Sequence, residues 1–329
     1  MKQWLINRYN GIVFGRTSIG EYLNAFYSFR YFLKYSFTNN RLLRRENLKA
    51  FLIKQYHIVE KGLSLPNPRE NFGIPKIKLL LSKIKVYEKR FGFDDVVSIP
   101  VRGCLKEYLV ANPNLAKKDN ELKVALDTFL REEKSQNQNI GGTKLYSEAE
   151  LRSATNIDFK RFVESRSSVR DFKDVKVDIA DINEAVEIAK NAPSVCNRQN
   201  WRLHYYDNTE LKNELLSLQH GSGGFIESIQ GLFIVTTDIQ GFTKMEQNEV
   251  FVDGGIISMN LVLALHNLGI GSCCLNTCFP YTRENKVKKL GGIPKSERLI
   301  MMIGVGYWKD TFKVGYSVKK NVEEILTLH

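Results

Sequence analysis

The sequence predicts an α+β protein, in which helices and strands share one chain without the strict alternation of a doubly wound sheet. Three observations carry this. Apolar residues recur at helical spacing through most of residues 21–130. β-Branched apolar runs such as 232–237 (LFIVTT) enter only in the second half. The strand candidates there are interleaved unevenly with helix candidates, which gives a sheet flanked by helices behind a mainly α-helical N-terminal segment.

Residues 21–37 are rich in aromatics (Tyr22, Phe26, Tyr27, Phe29, Tyr31, Phe32, Tyr35, Phe37) and read as a helix. Residues 42–61 carry Leu48, Leu52, Tyr56 and Val59 at helical spacing, with Gly62 where a C-terminal cap is expected. Pro66, Pro68 and Pro75 make 63–75 a loop. Residues 77–91 are helical again, with Leu80, Leu81, Ile84 and Tyr87 on one side; 101–110 and 122–130 are further amphipathic segments. The polar, aperiodic stretch 135–142 (SQNQNIGG) is the expected linker, dividing the chain into 1–143 and 144–329. Beyond it, 158–165, 179–190 (opened by Asp178), 209–218 and 250–268 read as helices. Residues 203–206, 232–237, 272–275 and 299–305 read as strands.

The chain has 48 Lys+Arg against 36 Asp+Glu, a net charge of +12 and a pI near 9.3. The excess is uneven: residues 1–150 carry 26 basic against 15 acidic side chains, and 151–329 carry 22 against 21. A uniformly basic nucleic-acid coat is therefore not expected. No run of about 18 uncharged apolar residues predicts a membrane span, and the first twenty residues lack the apolar core of a secretory signal. The five cysteines, Cys104, Cys196, Cys273, Cys274 and Cys278, form no C-x-x-C pair. This favours a reducing cytoplasm, with no structural metal and with small buried thiols rather than a reactive cluster.

Three segments carry chemistry. In 165–172 (SRSSVRDF), Arg166 and Arg170 flank Ser167 and Ser168; in extended backbone, 166, 168 and 170 share a side. Guanidinium, hydroxyl and guanidinium in a row suit a phosphate, whereas the alternative is a solvated basic turn. The loop 192–201 (APSVCNRQNW) offers Pro193, Ser194, Asn197 and Gln199. Its amides suit the edge of a planar heterocycle; ordinary turn chemistry capped by a core tryptophan is the other reading. In the third, 253–261 (DGGIISMNL), small residues open a helix that leads through Gly269 and Gly271 into 272–276 (SCCLN), where backbone could meet a ligand closely.

In order and spacing over about 158–329, these segments resemble the nitroreductase-like family of FMN-dependent oxidoreductases. The shared patterns are R-x-S-x-R (Arg166, Ser168, Arg170), A-P-S-x-x-N-x-Q-P-W (Ala192 to Trp201) and D-x-G-x-x-x-x-N-L (Asp253, Gly255, Asn260, Leu261) running into Gly269–Gly271. Asn200 departs from the pattern, standing where the family has Pro. The resemblance implies a nitroreductase-like fold with FMN as cofactor and NAD(P)H as electron donor. It implies ping-pong turnover and a homodimer with the flavin at the subunit interface. Arg166, Ser167, Ser168 and Arg170 would hold phosphate and ribityl chain, assisted by Lys319 or Lys320. Pro193, Ser194, Asn197 and Gln199 would meet the ring, and backbone at Leu275 and Asn276 would approach it. No catalytic side chain is implied, and the substrate, small or sugar-linked, is not identified. The segment around 57–73 is similar to a helical extension in a subset of the family associated with surface-polysaccharide gene clusters. There His57 and Glu60, three residues apart, are an acid/base candidate or a local structural contact. Two other functions stay open: a flavin-binding protein without turnover, and a basic scaffold contacting an anionic polymer or membrane surface through 1–143.

Overall fold

The computed structural model describes residues 18–38, 42, 44–131, 141–222, 224–315 and 317–329. The expected linker lies largely outside them, at 135–140, as does the N-terminal segment 1–17.

The first half is helical, as the spacing predicts: α1 Ser18–Tyr35, α2 Arg45–Leu63, α3 Ile74–Phe91, α4 Asp95–Ala111 and α5 Asn120–Arg131. α2 to α5 share one core, in which Leu52, Ile77, Leu80, Ile84, Val101 and Leu126 are fully buried. Local signals set the helix ends. The Asp94 carboxylate accepts the Val96 N–H at 3.1 Å and starts α4. Pro75 sits in the first turn of α3, where its missing N–H costs nothing. Gly62 is not a cap: it lies inside α2, which ends at Leu63 with the Ser64 N–H donating to the Glu60 carbonyl at 2.9 Å. A Cβ at Gly62 would run into the Phe72 ring, so the residue is needed for close packing instead.

Then come α6 Glu148–Ala154, α7 Phe159–Ser165, α8 Ile179–Ala189, β1 Trp201–Tyr206, α9 Thr209–Ser217, β2 Gly231–Asp238, α10 Glu249–Asn267, β3 Ile270–Asn276, α11 Tyr281–Leu290 and β4 Glu297–Tyr307. The strands form an antiparallel sheet in the order β1-β2-β4-β3. The fold is therefore α+β, with helices on both faces. Phe233 and Val235 of β2 point to α8 and α10, and Leu232 and Ile234 point to the opposite core with Leu215, Leu216 and Val287. α10 is long and apolar enough to cross a membrane by length and composition, but here nine of its residues are buried in the protein. α6 and α11 have too little apolar periodicity to be read from sequence.

The helical half packs on the sheet half through α1, the segment after it and α2. Phe37 bridges Thr243, with the Phe37 N–H on the Phe242 carbonyl at 3.0 Å. The Asn47 amide donates to the Gln240 carbonyl at 2.6 Å. Tyr31 and Phe32 share a core with Ile239, Phe242 and Val250.

Candidate functional site

The first site segment starts where α7 stops. Arg166 caps that helix in extended conformation (φ −70°, ψ 124°), and the chain runs on beside the outer edge of β3. Ser168 bridges Ser272 in parallel register, and the Val169 N–H donates to the Ser272 carbonyl at 3.0 Å. Val169 and Phe172 are buried and pin the segment down. Phe172 bridges Trp308 and lies against Gly306, where a Cβ would sit 2.6 Å from its own Cβ.

The result is a cleft of about 470 Å³, lined by Arg166, Ser167, Ser272 and His266, with aromatic walls from Phe162 and Trp308. Among the described residues, no carboxylate lines it. The Ser165 hydroxyl lies 2.7 Å from His266 Nε2, and burial, then the Arg166 charge, push the imidazole below its ordinary pKa. At neutral pH the ring is uncharged, and Arg166 supplies the positive charge of the lining. Gly269 makes the turn before β3 at φ +74°. At Gly271 a Cβ would meet Trp308 and Phe172 at 2.9–3.1 Å, so glycine lets the aromatic wall close.

The expected alternation is broken. Arg166 and Ser167 line the cleft, but Ser168 and Arg170 do not. The Arg170 guanidinium lies 5.9 Å from the Phe225 ring centroid, with Nη1 3.5 Å from the Ser168 carbonyl. A single bridge to β3 does not hold a regular strand, so strict two-residue facing fails here.

The second segment is a strained loop. Cys196, Asn197 and Gln199 have φ of 49°, 52° and 51°, which only asparagine adopts readily. Hydrogen bonds from within the loop and from α10 hold it there. The Ser194 hydroxyl accepts the Gln199 N–H at 2.9 Å, and the Asp253 carboxylate accepts the Val195 N–H at 3.0 Å. The fully buried Arg198 side chain donates to the Val195 and Gly241 carbonyls and to Glu246 at 2.8–3.1 Å. Lys54 of α2 reaches the other Glu246 oxygen at 3.7 Å. Burial pushes the Glu246 carboxyl up, but Arg198 and the Thr243 N–H outweigh it and hold the group below its ordinary value. Asp253 is raised by burial to about 6.

Asn197 and Gln199 are left exposed, and the Gln199 amide donates to the Asn197 side-chain oxygen at 3.1 Å. Pro193 is exposed beside them. The Asn200 amide, in place of a proline, is buried and donates to the Gly241 carbonyl at 3.2 Å. It thereby ties the loop to the 238–246 segment. Gly255 faces open space, and Gly254 is the glycine that α10 needs to approach Ile300. Leu275 is buried; Asn276 is exposed, its carbonyl accepting from Gln219 at 3.2 Å. Lys319 and Lys320 lie on the exposed segment after β4, outside the cleft lining.

The structure does not bring the two arginine- and amide-bearing segments together within one chain. Asp253 and the 194–199 loop lie at the N-terminal end of α10, while His266 and the cleft lie at its C-terminal end. At 1.5 Å per residue they stand about 20 Å apart. His57 and Glu60 belong to neither: their side chains are 3.2 Å apart on α2, and Glu60 accepts the Gly142 N–H at 3.4 Å. That is a contact tying α2 to the last residue of the expected linker.

Three side chains that shape the site were passed over in the sequence: His266, Trp308 and Arg198. An arginine in an amide-rich loop reads as solvated, and nothing local marks His266 or Trp308.

Residues 163–227 and 225–307 match the Nitroreductase family. The matched residues hold both site segments, α10 and the whole sheet, and exclude the helical half and the tail with Lys319 and Lys320. An Archaeoglobus fulgidus protein provisionally named NADH dehydrogenase/NAD(P)H nitroreductase is 27% identical over 46% of this chain and 85% of its own length. Iodotyrosine deiodinase of Thermotoga neapolitana is 27% identical over 44% of this chain and 86% of its own. Among solved structures, a Desulfovibrio desulfuricans protein in complex with FMN is 18% identical, covering 53% of this chain and 98% of that one with a TM-score of 0.46.

Proposed function

We propose that the protein is an FMN-dependent NAD(P)H oxidoreductase whose flavin sites are completed by a second copy of the chain. The observation that carries the reading is the carboxylate-free cleft built on Arg166 and Ser167 beside β3, within residues that match the Nitroreductase family. Its donor set, one guanidinium with serine hydroxyls and a neutral imidazole, fits the phosphate end of FMN. Ser168 and Arg170, next along the segment, would follow the ribityl chain. The ring-binding amides fit only if a partner supplies them, because Asn197 and Gln199 stand at the far end of α10.

A dimer with antiparallel α10 helices would place one chain's cleft beside its partner's 194–199 loop. α10 offers a face for this: Val252 and Met259 are 48% and 46% exposed, with Gly255 open between them. In the assembled site Arg166 and Ser167 bind phosphate, and Asn197, Gln199, Pro193 and Ser194 orient the ring. Leu275 and Asn276 bring backbone toward it, and Lys319 or Lys320 adds charge from the tail. FMN held there supplies hydride exchange between NAD(P)H and an organic acceptor, small or sugar-linked, in a ping-pong cycle in the cytoplasm. The name of the Archaeoglobus relative supports NAD(P)H as donor.

The visible spectrum of the purified protein tests the proposal. A yellow protein, or one that takes up added FMN, is expected; a colourless protein that fails to bind FMN would overturn it. Anaerobic mixing of the flavin-loaded protein with NADH or NADPH should bleach the flavin band. A band that persists would leave a flavin-binding protein without turnover.

A further inference from the structure

A second cleft, of about 980 Å³, opens between α1 and α11, outside the residues assigned to flavin. Its size is at the upper end for small-molecule sites. Four exposed cations rim it, two on each side: Arg30 and Lys34, one turn apart on α1, face Lys289 and Lys295. Among the described residues, no carboxylate lines it. Glu284, on α11, is buried and already matched by Lys288 at 2.8 Å and Arg298 at 3.1 Å, so it does not cancel the rim charge.

The walls are aromatic. Tyr27 stacks on Tyr31 (centroids 5.6 Å apart, 19° between planes) and on Tyr281 (4.7 Å, 26°), while Phe26 is 58% exposed at the edge. The stack is built rather than incidental. The Tyr31 hydroxyl accepts from the Lys288 ammonium at 2.6 Å and donates into the backbone at Glu297, 3.0 Å away; Lys288 itself is 3% exposed.

We propose that this cleft binds a nucleoside diphosphate-type ligand, a flat ring joined to linked phosphates. Paired cations on opposite walls suit linked phosphates, with Arg30 able to bind one bidentately. A half-exposed tyrosine stack suits a ring that continues it, since every base has a π-face. A lone apolar ligand would not need the four cations, and a lone inorganic anion would not need the stack. The proposal does not depend on the flavin reading.

Calorimetric titration of the full-length protein, in buffer containing FMN, with ADP, inorganic pyrophosphate and adenosine tests it. ADP is expected to bind more tightly than either of the others. The double variant Lys34→Ala/Lys289→Ala should lose at least tenfold in ADP affinity with unchanged flavin content. Tyr281→Ala should weaken ADP while leaving pyrophosphate within about twofold, and Arg166→Ala should lose flavin but keep ADP. Absence of ADP binding at millimolar concentration, or ADP affinity unchanged in the double variant, would overturn the proposal. So would capture by phosphatidylserine vesicles that the double variant abolishes in a protein that ignores ADP; that outcome would assign the cleft to a membrane surface.

Discussion

Arg198 and Asp253 are buried ionic groups that hold a strained loop, and each leaves one buried polar atom, Nη2 and Oδ2, without a hydrogen-bond partner among the described residues. An arrangement this costly persists where the surrounding structure enforces it. Asp253 gives it a pH signature. Its folded pKa is raised to about 6 from an ordinary 3.8, so the folded state gives up that proton later than the unfolded chain as pH rises. The group's contribution is therefore fully present below about pH 4, is lost as pH rises to about 6, and is flat beyond. Asp253→Asn, which keeps an acceptor for the Val195 N–H, should flatten this window by about 1–3 kcal/mol in urea unfolding at pH 4 and pH 7. Equal pH dependence in the two proteins would show that the carboxyl is solvated. At the cleft, Arg166→Ala removes a charge-assisted contact worth about 1.5–3 kcal/mol. Flavin affinity should fall roughly 10- to 100-fold with the circular dichroism spectrum unchanged; unaltered flavin content would refute the assignment.

Between elements, the decisive contact is the seat of Phe172 on Gly306 of β4. Together with the bridges Ser168–Ser272 and Phe172–Trp308 and the buried Val169, it anchors the 166–172 segment on the sheet. Gly306→Ala should displace the ring, cost about 1–3 kcal/mol by overpacking, and loosen flavin retention through a residue that never meets the cofactor. A variant that keeps both stability and flavin would mean the ring can move freely. This scale also shows what the sequence could and could not reveal. Helices α2 to α5 and the buried strand β2 were legible because apolar periodicity reports the faces they bury. Arg166 stood out because Arg170 and two serines follow it closely, and the structure places it in the cleft lining. The shared facing of Arg166, Ser168 and Arg170 was not legible, since facing depends on pairing and isolated bridges at Ser168 and Phe172 do not hold a regular strand between them. Gly62 was misread for a related reason: its use lies in the Phe72 ring, across the loop that follows α2. Trp308 and His266 meet across the cleft only after β3 and β4 have paired.

For the whole molecule, the separation of the two site segments along α10 makes assembly the test of function. Light scattering should give a dimer, and Met259→Arg on the exposed α10 face should yield a folded monomer that has lost flavin. A flavin-loaded monomer, from either protein, would overturn the shared-site reading. The ion-pair chain from Lys54 through Glu246 to Arg198 has a further consequence for how such a protein tolerates mutation. It runs from a helix outside the family-matched residues to the loop that would orient the ring. A random-mutagenesis screen scored on colony colour should therefore collect pale mutants in α2, around Lys54 and Asn47, as well as around the cleft. The helical half and the sheet half are then selected as one unit, and grafting either onto a relative should give a colourless chimera unless the three ionic partners travel together.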